Sequence, residues 1–142
     1  EVLGMVVAPR PPLGFPGAWL KPPQADAEAT IHLYGGDAAR AADGSARRGS
    51  GAIDHLSMVC QGYAEFQARF ERFGLPYREN LVPATPLWQL FVHDPNAVQL
   101  ELTFHAAAEP QAEPVIAAAR RYTTGERWFD PAPYAQFSSA AR

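Results

Sequence analysis

At 142 residues and 15.5 kDa, with 47% hydrophobic and 19% charged residues, the chain has the size and apolar content of one globular unit with a core. Twelve Lys and Arg against fifteen Asp and Glu give a formal charge of -3, and the longest basic runs are the pairs Arg47-Arg48 and Arg120-Arg121, so the clustered cations that nucleic-acid binding needs are missing. No apolar run approaches the roughly 20 residues of a membrane helix, no basic start precedes an apolar signal core, and the lone Cys60 has no intrachain disulfide partner; a cytoplasmic protein with no membrane or nucleic-acid partner is expected.

The chain starts at Glu1 without an initiator Met and enters the apolar run Val2 to Ala8 directly, as expected of a piece of a longer protein. That Val-rich run reads as a strand, stopped by Pro9-Arg10-Pro11-Pro12. Gly14, Pro16 and Gly17 mark a turn before a second short strand, Ala18-Trp19-Leu20. Residues 29–34 alternate, with Ile31 and Leu33 on one face and Thr30, His32 and Tyr34 on the other, so a half-buried strand is expected. Gly35 to Gly51 holds small and polar residues that bury too little surface to order strongly, and reads as a mobile linker.

The second half is clearer. Ile53 to Cys60 reads as a strand, and Tyr63, Phe66, Phe70 and Phe73 recur at helical spacing until Gly74 and Pro76 end the helix. Strands follow at 77–82, 87–92 and 98–104, the last two joined by a hairpin turn in which Asn96 is the residue suited to positive φ. Val115 to Tyr122 reads as a short helix with Pro114 in its first turn. The tail carries Trp128, Phe129, Tyr134 and Phe137, which are expected to pack on the body of the protein or on a second subunit. The organisation is thus 1–34, a linker over 35–51, a strand-rich module over 52–104, and a helix and aromatic tail over 105–142.

Within the last strand Val98, Leu100, Leu102 and Phe104 share a face, which leaves Gln99, Glu101 and Thr103 on the other. An unpaired buried carboxylate costs several kcal/mol, so Glu101 needs a cation, a metal or water on its side of the sheet. Alternation in residues 53–60 places His55 and Ser57 on the same kind of surface, and His32 lies opposite the apolar face of its own strand. His32, His55 and Glu101 together would form a ligand set suited to Zn, Fe(II), Mn or Ni; a solvated strand face is the alternative. His93 and His105, at a turn and a strand end, are expected at the surface, and Cys60 is expected to be a buried, unreactive thiol. Gln89, on a central strand, is a candidate to orient substrate or else a residue bonded to a neighbour, and Arg10 and Arg78 are candidate clamps or ordinary surface charges.

Residues 53–57 (IDHLS), 73–79 (FGLPYRE) and 89–102 (QLFVHDPNAVQLEL) resemble the second βαβββ module of the vicinal oxygen chelate superfamily, which includes glyoxalase I, extradiol dioxygenases, epimerases, thiol transferases and bleomycin-resistance proteins. Val2 to Met5, Gly17 to Leu20 and Ile31 to Leu33 are similar to the end of the first helix and the last three strands of the first module; the tail after residue 105 is not covered. The resemblance implies an α+β fold of two βαβββ modules forming a curved mixed-sheet cup, the first module lacking its first strand and helix here. It implies a divalent metal, with Fe(II) or Mn favoured over Zn or Ni, held by His55, Glu101 and His32, with Glu101 and His32 as catalytic acid or base groups and Trp19, Tyr34 and Gln89 as substrate contacts. A small-molecule substrate and a homodimer are implied as partners.

Of the reactions in that superfamily, a ring-cleaving dioxygenase acting on a substrate with adjacent oxygens is expected first. A His at position 32, in place of a carboxylate, argues against glyoxalase I itself. A glyoxalase- or epimerase-like isomerase or lyase and a thiol transferase are the alternatives among enzymes, and a metal-free bleomycin-resistance-like binding protein, gripping a planar ligand through Trp19, Trp88 and Tyr34, is the alternative of another class.

Overall fold

Two stretches of alternating residues, one in each half of the chain, build two separate sheets. The computed structural model describes residues 2–51 and 53–138 and divides into two units, Glu1–Arg47 and Arg48–Arg142. Both are strand-rich and the fold is α+β. Among the described residues no helix is long and apolar enough to cross a membrane.

The first unit is an antiparallel sheet ordered β1 (Val6–Ala8), β2 (Gly17–Lys21), β3 (Ile31–Tyr34). Gly17 is required where β2 meets β3, because a Cβ there would lie 2.3 Å from the carbonyl oxygen of Leu33. The strand expected from Val2 starts only at Val6, since Val2 and Leu3 form a turn before Gly4, whose φ is +69°. Leu33, expected on a buried face, is exposed. Residues 36–39 of the expected linker form a 3-10 turn, and Arg40 bridges to Ala46, so hydrogen bonds supply order where apolar burial does not.

The second unit contains β4 (Leu56–Cys60), α1 (Tyr63–Arg72), β5 (Tyr77–Leu81), β6 (Leu87–His93) and β7 (Gln99–His105). The sheet order is β4-β7-β6-β5, with β4 parallel to β7 and the other pairs antiparallel. This is one βαβββ module. Helix α1 begins where the amides of Gly62 and Tyr63 donate to the two oxygens of Glu109, at 2.9 and 2.8 Å, which places a carboxylate at the positive end of the helix. It ends at Gly74, which takes the left-handed φ of +62°. Its aromatic stripe is core: Tyr63 and Phe66 pack edge-on against Phe104, Tyr63 also meets Trp88, and Phe70 lies against Tyr77. Burial of each such ring stabilises by roughly 1.5–3 kcal/mol.

Two local expectations are corrected here. In the β6–β7 turn Asp94 Oδ1 accepts the amides of Asn96 and Val98, both at 2.8 Å, and this cap moves the positive φ from Asn96 to Ala97. The helix expected over 115–122 is reduced to a 3-10 turn at Ala118–Arg120. The open edge of β5 offers unpaired backbone groups, and the chain fills it: Arg121 bridges in parallel to Glu79, and the Tyr122 amide donates to the Glu79 carbonyl at 2.9 Å. Arg120 is anchored on the helix side of the sheet by Glu71, at 3.1 Å, and by the Tyr77 hydroxyl. The aromatic tail then packs on the body of the unit as expected, with Tyr134 buried and its hydroxyl donating to the His93 carbonyl at 2.6 Å, and Phe137, in the short α2 (Ala135–Ser138), against Phe73.

Candidate functional site

Directly paired residues share a face of a sheet, so the register of the four-stranded sheet sorts its side chains. Leu56, Met58 and Cys60 lie with Leu100, Leu102 and Phe104 on the helix side, while Ser57 pairs with Glu101, Glu101 with Phe91, and Phe91 with Arg78 on the other. Glu101 therefore stands in the middle of the face away from α1, and it is 7% exposed.

The carboxylate has partners on both oxygens. Oε1 accepts the hydroxyls of Ser57 and Thr103, each at 2.6 Å, and Oε2 lies 3.1 Å from His55 Nε2. The other imidazole nitrogen, Nδ1, is 2.7 Å from Asp54 Oδ1. His55 sits just before β4, which begins three residues later than the strand expected from Ile53, and its ring meets the buried Phe91 edge-on at 5.7 Å. The geometry constrains what lies between Nε2 and Oε2. With the Nδ1 proton donated to Asp54, neutral His55 turns a lone pair toward a carboxylate oxygen, and two acceptors at 3.1 Å need a cation between them.

A proton serves, and so does a metal. Ligand bonds of about 2.0–2.2 Å put adjacent donors of a four- to six-coordinate shell about 2.9–3.4 Å apart, so His55 and Glu101 fit as neighbouring ligands of a divalent ion. Asp54 on the imidazole and the two hydroxyls on the carboxylate are the outer partners such ligands use. Among the described residues no group of three or more His, Cys, Asp or Glu side chains converges to hold a metal, so the pair offers two ligands and leaves the remaining positions open.

His32 belongs to the first unit, where its ring stacks on Trp19 at 4.1 Å and 8° and its register partner is also Trp19. Tyr34 is exposed and meets Phe15 edge-on at 4.8 Å. In the second unit Gln89 is half-buried and accepts from Asn80 at 2.7 Å, the neighbour-bonded alternative for that residue. Arg10 and Arg78 are both engaged within their own units, Arg10 with the Phe15 carbonyl and ring and Arg78 over Trp128. Burial pushes the half-buried Cys60 thiol up to about 11, as an unreactive cysteine requires.

The contacts of four neighbours of the site were not legible in the sequence, although alternation places Ser57 on this face. Ser57 and Asp54 act through short contacts that no spacing encodes. Tyr122 stacks on Phe91 at 3.8 Å and 7°, because the filled β5 edge carries the tail over the site face. His93, expected at the surface, is half-buried between Trp128 and Phe129, with centroid distances of 4.2 and 5.3 Å. Burial holds its imidazole below the ordinary histidine range, against a smaller opposing pull from Asp94. The repeated aromatics of the tail were the available signal.

Among solved structures the chain is similar to a glyoxalase family protein from Bacillus anthracis, at 18% identity over 74% of this chain and 76% of that one, with a TM-score of 0.53. It is also similar to lactoylglutathione lyase from Agrobacterium tumefaciens, at 19% identity over 73% and 77%, with a TM-score of 0.48. No family model matches the chain, and no curated protein does. The first likeness shows a fold of the glyoxalase type.

Proposed function

We propose that the chain is a divalent-metal-dependent enzyme acting on a small molecule with adjacent oxygens, with ring-cleaving dioxygenase chemistry as the first reaction to test. The observation that carries this reading is the facing of His55 Nε2 and Glu101 Oε2 at 3.1 Å, with the opposite side of each group already bonded. His55 and Glu101 would hold the ion. Fe(II) or Mn bound there would supply Lewis-acid activation of adjacent substrate oxygens and access to O₂. Asp54 keeps the Nδ1 proton and so leaves Nε2 free to ligate. Ser57 and Thr103 fix the carboxylate plane, and Phe91 keeps water from one side of the imidazole. Gln89 remains a proposed substrate contact, with Glu101 as the proton carrier.

A second reading, isomerase or lyase chemistry with Zn or Ni, is favoured by the likeness to the glyoxalase family protein from Bacillus anthracis. With Oε1 saturated by two hydroxyls, a proton taken from a carbon beside a carbonyl would arrive at Oε2. Metal analysis by mass spectrometry, on protein purified without affinity metals, separates these readings. Near-stoichiometric Fe or Mn, lost in both His55→Ala and Glu101→Ala, is the expected result. Zn or Ni lost in the same variants moves the assignment to the isomerase or thiol-transferase class. No uptake of any of the four ions on reconstitution overturns the metalloenzyme reading and leaves a metal-free binding protein.

A further inference from the structure

The tail closes one side of the site face with rings that are each held by more than one restraint. From the filled edge of β5 the chain turns over the face away from α1, where the Tyr122 ring lies parallel to Phe91 at 3.8 Å and 7°. Phe91 is the cross-strand partner of Glu101 and meets His55 edge-on at 5.7 Å, so Tyr122 caps the residue that stands beside both members of the pair. Farther along, Trp128 donates its indole N–H to Gln99 Oε1 at 3.2 Å, and Gln99 Nε2 donates to the Tyr122 hydroxyl at 3.4 Å. Gln99 precedes Glu101 on the same face of β7, and Arg78, the cross-strand partner of Phe91, lies over the Trp128 ring at 5.1 Å.

Both ends of this strap are fixed. At its start the Tyr122 amide donates to the Glu79 carbonyl at 2.9 Å, and beyond it the buried Tyr134 donates its hydroxyl to the His93 carbonyl at 2.6 Å. A ring held by its own backbone, by a stacked neighbour and by a hydrogen bond has little rotamer freedom left to lose, so it serves as a preformed wall. Tyr122 is half-buried and therefore keeps surface that a bound molecule can touch. On the other side of Glu101 the face is more open: Gln89 and Asn80 are half-buried, and Val59 is 73% exposed.

We propose that Tyr122 is a substrate-contacting residue of the His55–Glu101 site: with Phe91 it forms the aromatic wall against which a flat substrate packs, while the substrate enters from the Gln89 side. This rests on the metal reading above and adds to the site a residue supplied by the tail. A flat ring gains stacking and apolar contact on such a wall, whereas a small aliphatic chelator with the same adjacent oxygens gains neither.

That difference supplies the test. The whole chain is loaded with Mn(II) under argon and titrated in a calorimeter with catechol and with acetohydroxamate, two chelators that reach an ion through adjacent oxygens and differ in having a ring. Tyr122→Ala is expected to keep metal uptake, to weaken catechol about tenfold and to change acetohydroxamate less than twofold. Tyr122→Phe, which keeps the ring, is expected to bind catechol within twofold of the parent. A second measurement needs no metal: in chelator-treated protein, carbethoxylation of His55 by diethyl pyrocarbonate, read by peptide mass spectrometry against the exposed His105, is expected to be at least threefold faster in Tyr122→Ala. A chain that takes up no metal fails the reading above, while faster modification of His55 in that variant still places the Tyr122 ring over the pair. Equal loss of both chelators, unchanged catechol affinity in Tyr122→Ala, or an unchanged His55 rate overturns the proposal.

Discussion

The two faces of the four-stranded sheet solve opposite problems with the same strands. The face toward α1 is closed by aromatic and aliphatic side chains, and the buried carboxylate of Glu79 there is met by the Tyr63 hydroxyl at 2.7 Å, Gln67 at 2.9 Å and the Arg120 guanidinium at 3.8 Å. The other face buries Glu101 among hydroxyls and an imidazole, and among the described residues no arginine or lysine forms an ion pair with it. A carboxylate tied to a guanidinium is a structural element. One held by neutral donors and facing an imidazole across 3.1 Å keeps the capacity to take a cation.

Four changes would break or sharpen this contrast. The largest belongs to the helix face, where Phe70 is fully buried: Phe70→Ala is expected to cost about 3–5 kcal/mol in urea unfolding. By comparison Leu33→Ala, at an exposed position of the first unit, should change stability by less than about 0.5 kcal/mol. Next comes Asp54→Ala on the site face. It removes the partner of His55 Nδ1 and is expected to weaken metal binding about 10–100-fold, measured by competition with a chelating dye, with little change in stability.

Third, Cys60 faces the helix side and burial pushes its thiol up to about 11 from an ordinary 9.0. At pH 8 its thiolate fraction falls about 100-fold, the higher basicity of the thiolate recovers part of this, and alkylation is expected roughly tenfold slower than for a free cysteine peptide. Reaction at the free-peptide rate would show that β4 opens readily.

The smallest effect concerns His93. Its folded-state pKa lies below the unfolded value, so the unfolded chain takes up the proton first as pH falls. The stability this residue contributes is present above about pH 6.5 and is lost on acidification toward the lower folded value. The melting temperature of His93→Phe should therefore rise relative to the parent chain as pH drops from 7 to 5. A difference independent of pH would mean that the imidazole is not held neutral by burial.

Much of the second unit was legible because its elements are encoded locally. Tyr63, Phe66 and Phe70 at helical spacing, Gly74 at the helix end and the alternation of residues 98–104 each state a local geometry, and each element formed there. The 115–122 segment misled for the converse reason. Its alanines favour a helix, but the open edge of β5 offered it backbone partners that no local pattern reveals. His93 misled likewise: a histidine beside a turn becomes half-buried only when residues about 35 positions later fold over it.

The amino-acid sequence by itself determined which side chains share a face, because strand and helix periods are properties of the backbone; Glu101, Ser57 and Thr103 were bound to the side away from α1 once those strands existed. Only the tertiary structure decided what those side chains meet. The contacts between Glu101 and His55, between Asp54 and the imidazole, and between the tail and His93 depend on strand order, on the parallel β4–β7 register and on an edge filled from a distant segment. Such distances are set by packing across the fold, and hydrogen-bond geometry changes with a few tenths of an ångström, a scale that residue spacing does not record.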